Sequence, residues 1–428
     1  MPSSVTIPEG QLRRRDKFRA YMQAFNPAAP AREVIDAGLV FEDLHQSLYR
    51  NLAGRADLEP GSQQLLVGGV GSGKTTELIL AQRWLATQGH VMCFYVDVSA
   101  DTNLSKLSSG ALVASFGMRL GFQVIVDKAS SHNSEEAKRL SQIYDRVIEF
   151  AYGKQIERKS NRLSSLSVLS GFSPPDSQGD ALVEPETIPG KLSPPFPALD
   201  RDIREVRDDI GEFLTAAKDA KKEVAVVFDG LDRLLDPSRF WSVVHQDLRL
   251  LRELKVSVIA TAPLSVLFGV GVGQSISDHF DRAHHLTVIP VDSAYTSLWS
   301  VLEKRRVTNL LDPGIAYFIY NYSGGVLRDL ISLARDAAEE AYVSDRDSIT
   351  VPDIEKVGHQ LGTGYLRGLG PEAINTLLHL ESSKSFDLSQ PSNVELLVTR
   401  RVLEYSSTDF RVHPALQSVI PRPEPERA

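Results

Sequence analysis

The sequence has a single cysteine, Cys93, in 428 residues, and this scarcity excludes an intrachain disulfide. Cys93 lies within an apolar run, so we expect it to be a buried core thiol. The opening residues, Met1 to Gly10, lack the apolar stretch of a secretory signal. Together these absences predict a cytoplasmic protein that is not exported.

One long uncharged segment lacks the composition of a membrane span. Residues 256–273 carry no charge, but Pro263, glycines, serines and a threonine interrupt them. A strand followed by a loop fits this segment better than a membrane helix does. We therefore expect no membrane contact.

The charge balance restricts the classes of partner. The formal net charge of −8 comes from 47 basic and 55 acidic residues. An acidic excess argues against a protein dedicated to coating nucleic acid or an anionic membrane, although one basic patch stays compatible with it.

Apolar residues make up 42% of the chain, which is ample for a core. The length predicts about two to four structural units.

Apolar strands alternate with helical segments along the chain, which predicts an α/β fold with a parallel sheet and helices on both faces. Strands are predicted at residues 63–67, 90–98, 223–228, 256–261 and 286–291. Helices are predicted at residues 10–25, 75–87, 104–120, 135–152 and 239–254. In such a five-stranded sheet, the chemistry lies at the carboxyl ends of the strands.

Residues 164–199 interrupt this alternation, because serine, proline and glycine dominate them. The segment is either a mobile surface insertion or a loop that binds a partner, and the sequence leaves both open. After residue 291 the pattern becomes helical, which indicates a separate unit.

The most specific motif is the phosphate-binding pattern G-x-x-x-x-G-K-[ST], with a predicted strand before it and a helix after it. Its members are Gly68, Gly69, Val70, Gly71, Ser72, Gly73, Lys74 and Thr75, with Thr76 next in the chain. The glycines let backbone N–H groups curl round phosphate oxygens at the N-terminus of a helix. Lys74 reaches the β- and γ-phosphates, and the Thr75 hydroxyl ligates Mg²⁺. A plain glycine turn would explain neither Lys74 nor Thr75, so we predict an ATP/ADP site with Mg²⁺.

An acidic residue, Asp229, directly follows the apolar strand predicted at residues 223–228. This placement puts it at the carboxyl edge of the sheet beside the P-loop, where it holds the magnesium shell. Asp232 follows three residues later. It either positions the attacking water or caps a helix N-terminus.

Residues 228–232, Phe-Asp-Gly-Leu-Asp, resemble the Walker B segment of the STAND NTPases, particularly their NACHT branch, which are relatives of the AAA+ ATPases. With the P-loop, this resemblance implies an ATPase. Residues 258–261 are similar to the sensor-1 strand, in which Thr261 would face the γ-phosphate. Residues 323–330 look like the sensor-2 helix start of AAA+ and origin-initiator ATPases, with Arg328 reaching the phosphates. A solvated helical arginine is the alternative for Arg328.

Residues 410–416 are similar to the MHD segment that ends the STAND winged-helix domain. In that family the histidine contacts the ADP β-phosphate, a role that falls here to His413, unless His413 is a satisfied structural residue. By the same resemblance, Val40 and Phe41 border the adenine. Arg282 lies where AAA+ assemblies place a trans-acting arginine finger, although an exposed arginine before a strand is the plain alternative.

Departures from the family pattern imply slow hydrolysis. Gly230 stands where ordinary AAA+ enzymes have their catalytic glutamate, and Arg233 stands where the NACHT pattern has glutamate. In the MHD-like segment, Val412 and Pro414 replace Met and Asp. A slow nucleotide switch fits these residues better than a fast enzyme.

The predicted organisation has five parts along the chain. These are an N-terminal helical segment (1–35), a nucleotide-binding domain (36–292), a helical lid (293–364), a winged helix (365–421) and a tail (422–428). Catalytic roles are assigned to Lys74, Asp229, Asp232, Thr261 and Arg328. The chain ends soon after the winged helix, so we expect a partner or effector chain to supply sensing or output. The resemblance also implies a homo-oligomer in the ATP state and a setting in bacterial conflict or anti-phage systems.

Two other functions stay open. An initiator-like AAA+ ATPase that loads or remodels a partner on DNA would share the lid and the winged helix. Residues 371–428 hold eight acidic and six basic side chains, with Arg400, Arg401 and Arg411 as the basic cluster, and this balance favours a closing domain over a DNA reader. A non-hydrolysing scaffold would bind nucleotide without turnover.

Overall fold

The computed structural model describes residues 13–130, 134–152, 202–268, 272–292 and 295–422. The predicted insertion at residues 164–199 and the tail beyond residue 422 lie outside the described residues.

The sheet has five parallel strands in the order β2-β3-β4-β1-β5. The strands are β1 (Gln63–Gly68), β2 (Val91–Asp97), β3 (Glu223–Asp229), β4 (Ser257–Ala262) and β5 (Arg282–Leu286). The central strands β1, β3 and β4 are buried almost throughout, whereas the edge strands β2 and β5 are partly exposed. The predicted α/β fold with a five-stranded parallel sheet is confirmed.

Side chains of the central strands alternate between the two faces of the sheet, as the strand period requires. In β1, Leu65 and Val67 join a core that includes helices after β2 and β3, whereas Leu66 faces a second core. In β3, Val226 belongs to the first core and Val227 to the second. Helices therefore cover both faces, and the strands read as continuous apolar runs.

Helices fill the intervals between the strands and form the rest of the chain. In chain order they are α1 (Arg14–Ala24), α2 (Ala31–Asp36), α3 (Leu48–Leu58), α4 (Lys74–Thr87), α5 (Val98–Asp101), α6 (Ala111–Ser130), α7 (Ser134–Tyr152), α8 (Arg207–Asp219), α9 (Pro237–Glu253), α10 (Val272–His279), α11 (Tyr295–Arg305), α12 (Ala316–Ser323), α13 (Leu327–Val343), α14 (Val351–Leu366), α15 (Pro371–Ser383), α16 (Pro391–Val398) and α17 (Pro414–Gln417). Among the described residues, no helix is long and apolar enough to cross a membrane.

The predicted bounds were wrong for the last strand, because it runs from Arg282 to Leu286 and not over residues 286–291. Strand β1 ends at Gly68, whose register partner is Leu286, so later residues have no neighbouring strand to pair with. Instead, the Val288 N–H donates to the Glu404 carbonyl at 2.8 Å. Arg282 is therefore the first residue of the strand, where it is exposed.

The helix predicted at residues 104–120 was also displaced, since α6 begins at Ala111. The buried carboxylate of Asp247 accepts hydrogen bonds from the N–H groups of Gly110, Leu112 and Val113. A long-range acceptor thus satisfies the orphan donors of the helix start, and the local sequence gives no sign of it.

A separate core holds helices α11 to α14, the segment predicted as a lid, together with the N-terminal helix. Phe18, Tyr21 and Phe25 of the N-terminal segment are buried against residues of α11 to α14, such as Leu298 and Ala334. Arg305 on α11 donates to the Ala24 carbonyl at 2.8 Å. The first described residues therefore pack with the lid rather than with the sheet.

The C-terminal part contains α15, α16 and an antiparallel hairpin of β6 (Val402–Ser406) and β7 (Asp409–Val412), followed by α17. Two helices and a two-stranded wing follow one another in this order, and the assignment to a winged helix stays a prediction. Leu396 and Leu397 of α16 join the core that also contains β1 and β4. The C-terminal part is therefore packed onto the part of the chain that contains the five-stranded sheet.

Candidate functional site

The P-loop leaves the sheet at the carboxyl end of β1 and enters α4 at Lys74. Gly71 and Gly73 have φ values of 81° and 99°, which lie in the left-handed region that favours glycine. The Ser72 hydroxyl oxygen is buried and, within the described residues, has no hydrogen-bond partner. A buried polar atom of this kind inside the loop fits a polar ligand.

Lys74 is buried, with 6% of its side chain exposed. Its Nζ donates to the carbonyls of Gly68 at 2.8 Å and Gly69 at 3.0 Å, and lies 3.0 Å from Asp232 Oδ2. Lys74 and Asp232, which the sequence predicted separately as site residues, are therefore in direct contact. A phosphate oxygen would compete with Asp232 for the same ammonium group.

Asp229 ends β3 beside the P-loop. Its carboxylate accepts hydrogen bonds from the Tyr95 hydroxyl at 2.7 Å, the Gly230 N–H at 2.7 Å and the Thr75 hydroxyl. Burial nevertheless raises the pKa of the Asp229 carboxyl, while the bonds from Tyr95 and Thr75 oppose that rise. The two residues predicted to hold the metal are thus adjacent, and both present oxygen donors, which Mg²⁺ prefers.

The turn that follows β3 is fixed by a hydrogen bond to the neighbouring strand β4. Thr261 in β4 is fully buried, and its Oγ1 accepts from the Leu231 N–H at 3.1 Å. In this arrangement Thr261 fixes the short helical turn Leu231–Arg233, which carries Asp232. The phosphate contact predicted for Thr261 stays a prediction.

Gly230 has no room for a side chain. Its φ is 82°, and a Cβ there would lie 2.9 Å from the Ser99 Cβ and 3.0 Å from the Ser99 nitrogen. Ser99 is fixed in turn, because its N–H and hydroxyl both donate to Asp97. A glutamate at position 230 would require this turn to be rebuilt.

His45 is part of the site, and our sequence reasoning missed it. Its Nε2 donates to the Ser72 carbonyl at 2.9 Å, so the ring is the Nε2–H tautomer, and it lies 3.2 Å from the Cβ position of Gly73. Burial lowers the pKa of His45, although the hydrogen bond to Ser72 opposes that shift. The next residues, Gln46 and Ser47, have φ values of 53° and 58°. Two consecutive left-handed residues other than glycine mark a strained segment, and the sequence carries no motif for it.

The lid approaches the P-loop through the first turn of α13. A Cβ on Gly71 would lie 2.6 Å from the Arg328 Cβ and 3.5 Å from the Arg328 nitrogen. Arg328 is exposed, and in the described part of the chain it forms no ion pair. The structure therefore brings Arg328 to the loop that the sequence assigned to phosphate.

Replacing Gly71 by alanine should separate the lid from the P-loop. The new Cβ would clash with Arg328 and would also strain a backbone at φ 81°, so we expect a loss of stability of about 1–2 kcal/mol. We also expect nucleotide affinity to fall at least about tenfold, which corresponds to about 1.4 kcal/mol. Chemical denaturation and nucleotide titration measure the two effects. The matched control is Gly89→Ala, at φ 74° with nothing within 4 Å of the added Cβ. Equal affinity loss in both variants would contradict the contact with Arg328.

His413 lies in a buried cluster centred on Asp329, not on the P-loop glycines. Its Nε2 lies 3.3 Å from Asp329 Oδ2, and its Nδ1 accepts from the Ala415 N–H at 3.2 Å. Its side chain is fully buried, and its ring centroid lies 4.5 Å from that of Tyr365. These contacts within the protein are those of the structural alternative stated above, and the contact of His413 with the ADP β-phosphate stays a prediction.

The Asp329 carboxylate contacts three side chains that come later in the chain. Arg400 donates to its Oδ1 at 2.9 Å, the Tyr365 hydroxyl donates to its Oδ2 at 2.6 Å, and His413 contacts Oδ2. Burial would raise the pKa of Asp329, but the bond from His413 and the charge of Arg400 outweigh it and lower that pKa. We call these four residues the Asp329 cluster. The cluster connects α13, which lies against the P-loop, to the C-terminal part.

Two peripheral predictions have less support from the geometry. Phe41 is partly buried against the lid core, and Val40 is partly buried beside it. Their contact with an adenine stays a prediction, as does the role of Arg282 on the exposed edge strand. Among the described residues, no group of three or more histidine, cysteine or carboxylate side chains could hold a metal by itself.

A scan against protein-family models gave no match, and a search of curated proteins gave none either. Solved structures do match. The Aeropyrum pernix ORC2 protein in its ADPNP–ADP complexes is 12% identical with a TM-score of 0.43, over 92% of this chain and 95% of that chain. The Aeropyrum pernix ORC1 protein in complex with DNA is 16% identical, with a TM-score of 0.43 over 90% and 84% of the two chains. Drosophila ORC bound to DNA is 10% identical, with a TM-score of 0.43 over 90% and 76%. At such identities and scores, the likeness does not establish a function for this chain.

Proposed function

We propose that the chain binds ATP and ADP with Mg²⁺ at the P-loop and acts as a slowly hydrolysing molecular switch of the AAA+/STAND type. The observation that carries this proposal is the convergence of Lys74, Asp232, Thr75 and Asp229 at the carboxyl edge of the parallel sheet. Arg328 lies against the same loop. These are the charges and oxygen donors that a magnesium-bound triphosphate requires.

The P-loop residues would each take a part of the nucleotide. The N–H groups of residues 69–73 would cradle the phosphates at the N-terminus of α4. Lys74 would exchange its contact with Asp232 for phosphate oxygens, and Arg328 would add a second positive charge from the lid. The Thr75 hydroxyl and Asp229 would hold Mg²⁺, which neutralises the phosphate charge when bound.

Slow hydrolysis follows from the Walker B turn. The carboxylate of an ordinary catalytic glutamate is excluded at Gly230 by Ser99. Asp232 is the nearby carboxylate that remains to orient water, and it first has to be released from Lys74. Transfer of Lys74 to a γ-phosphate would free Asp232. Substrate binding itself would therefore make the Asp232 carboxylate available as a general base.

The switch would act through the lid. Arg328 contacts the P-loop, and Asp329 beside it anchors Arg400, Tyr365 and His413 of the C-terminal half. A change in the number of phosphates would therefore move α13 and, with it, the C-terminal part. An effector chain and an oligomer of the ATP state belong to this proposal.

Denaturing the purified protein and identifying the released nucleotide by chromatography tests the proposal. We expect stoichiometric ADP or ATP, and we expect ATP turnover well below the median enzyme rate of about 10 s⁻¹. Asp232→Asn should keep nucleotide and lose turnover, since an amide cannot accept the proton. A protein that neither carries nor takes up nucleotide would refute the proposal.

The DNA-loading alternative requires basic side chains of the C-terminal part to be available for contact with phosphates. Arg401 donates to the carbonyls of Tyr365 and Arg367, and Arg411 pairs with Asp409 and Asp292. With Arg400 held by Asp329, the whole basic cluster is engaged within the chain. Steeply salt-dependent binding of duplex DNA would nevertheless favour this alternative.

A further inference from the structure

A groove of about 370 Å³ lies between the N-terminal helix α1 and the lid helix α13. Arg15, Phe18, Arg19 and Met22 line it from α1, and Arg335 and Tyr342 line it from α13. The spacing of these residues puts each set on one helix face. We call this the α1–α13 groove.

Positive charge is in excess in the lining of the α1–α13 groove. Three arginines line it, and no carboxylate does. Within the described residues, Arg15 and Arg19 form no ion pair, and Arg335 donates only to the Asn26 side chain, at 3.3 Å. The neighbouring Arg14 is different, because it donates to two backbone carbonyls and pairs with Asp347. The guanidinium groups of Arg15, Arg19 and Arg335 can therefore donate paired hydrogen bonds to the carboxylates of a ligand.

The groove also has an apolar floor. Phe18 is buried, with 2% of its surface exposed, and its ring centroid lies 5.3 Å from that of Tyr342. Met22 and Tyr342 are partly buried beside it, so the groove offers both a flexible and an aromatic surface. A ligand made only of charged groups would leave the exposed parts of Met22 and Tyr342 in water.

We propose that the α1–α13 groove docks a short acidic peptide segment of a partner protein, with an apolar side chain on the floor and carboxylates on the arginines. A polynucleotide fits less well, because Asp345 and Asp347 next to the end of α13 have side chains that are 98% and 92% exposed. A continuous phosphate backbone would meet these charges, whereas a short peptide confined to the groove would not. The net charge of −8 opposes a long polyanion further.

The groove belongs to the helix that begins at the P-loop. Arg335 lies eight residues and Tyr342 fifteen residues after Leu327, at which α13 starts. A peptide that bridges α1 and α13 would therefore hold the helix that carries Arg328 and Asp329. Docking itself needs none of the residues proposed to bind nucleotide, so the docking proposal can be tested independently of the proposed ATP site.

The full chain is titrated against the fluorescein-labelled peptide Glu-Glu-Leu-Phe-Glu-Glu, and fluorescence anisotropy is measured. We expect a Kd below about 100 µM that rises with salt. The double variant Arg15→Glu/Arg19→Glu should weaken binding at least tenfold. Both side chains are exposed, so circular dichroism should show an unchanged fold. The milder Arg19→Gln should weaken binding at least threefold.

The matched control is Arg13→Glu/Lys17→Glu, which changes the same charge on the same segment outside the groove and should bind within twofold of the parent. A peptide with alanine in place of Leu-Phe should bind at least fivefold more weakly. Lys74→Ala should bind the peptide like the parent, which separates this test from the nucleotide site. Equal binding by the groove and control variants would overturn the proposal. So would tighter binding of a 20-base-pair DNA duplex than of the peptide, or no peptide binding at 1 mM.

Discussion

Replacing Lys74 by alanine should raise the Kd for ATP at least about 100-fold, a loss of about 2.7 kcal/mol. Lys74 is the buried cation that joins the Gly68 and Gly69 carbonyls to Asp232, and we propose that it binds the phosphates. Charged hydrogen bonds of this kind contribute about 1.5–3 kcal/mol each. Isothermal titration with ATP and Mg²⁺ measures the change.

A second lysine provides the control for this experiment. Lys218→Ala removes an exposed lysine from the last turn of α8 and should leave the Kd within twofold. Thermal unfolding of both variants separates lost binding from lost structure, because removal of Lys74 also leaves the Asp232 carboxylate without its partner. An unchanged Kd in a folded Lys74→Ala protein would refute the assignment of the site.

Replacing Asp329 by alanine should destabilise the junction between the lid and the C-terminal part by about 3 kcal/mol. The buried carboxylate accepts from Arg400, Tyr365 and His413, so its loss leaves one buried donor and two partly buried donors without their acceptor. We expect a lower urea midpoint and faster proteolysis between α14 and α15. The control Asp336→Ala removes an exposed aspartate from the same helix and should be close to neutral. Equal losses in the two variants would contradict a special role for Asp329.

The same replacement should change how stability depends on pH. The pKa of Asp329 is lowered in the folded state, so its ionised form contributes stability that is present above its unfolded pKa and lost as pH falls through the folded value. The parent should therefore lose stability on acidification below about pH 4, and the alanine variant should lose less over that range. Urea titrations from pH 5 to pH 2 compare the two slopes.

Local pattern was sufficient to predict which residues the P-loop and the end of β3 bring together. The P-loop needs glycines, a lysine and a hydroxyl within eight residues, and Asp229 needs only a buried strand before it. Both requirements are contiguous in sequence, so Lys74, Thr75 and Asp229 could be predicted together. The five strands could be predicted for the same reason, although the bounds of β5 depend on where β1 ends.

Residues brought in from a distance could not be predicted in this way. His45 reaches Ser72 across 27 positions, and Arg400 reaches Asp329 across 71 positions. Neither contact leaves a periodic or motif signal in the chain. His413 shows the related difficulty, because a histidine in a family-like segment reads the same whether it meets a phosphate or a buried carboxylate. Only the packing of α13 against the C-terminal part separates the two cases.

The state of the lone thiol has a practical consequence. Cys93 lies partly buried in β2, and burial raises the pKa of its thiol to about 12. Since the thiolate is the species that maleimides attack, this cysteine stays inert to them in the native chain at neutral pH. Cysteines introduced at exposed Leu58 and Val343, which are 84% and 72% exposed, would take fluorophores selectively. One dye would then sit beside the sheet and the other on the lid, so domain movement becomes visible by energy transfer without first rebuilding the core.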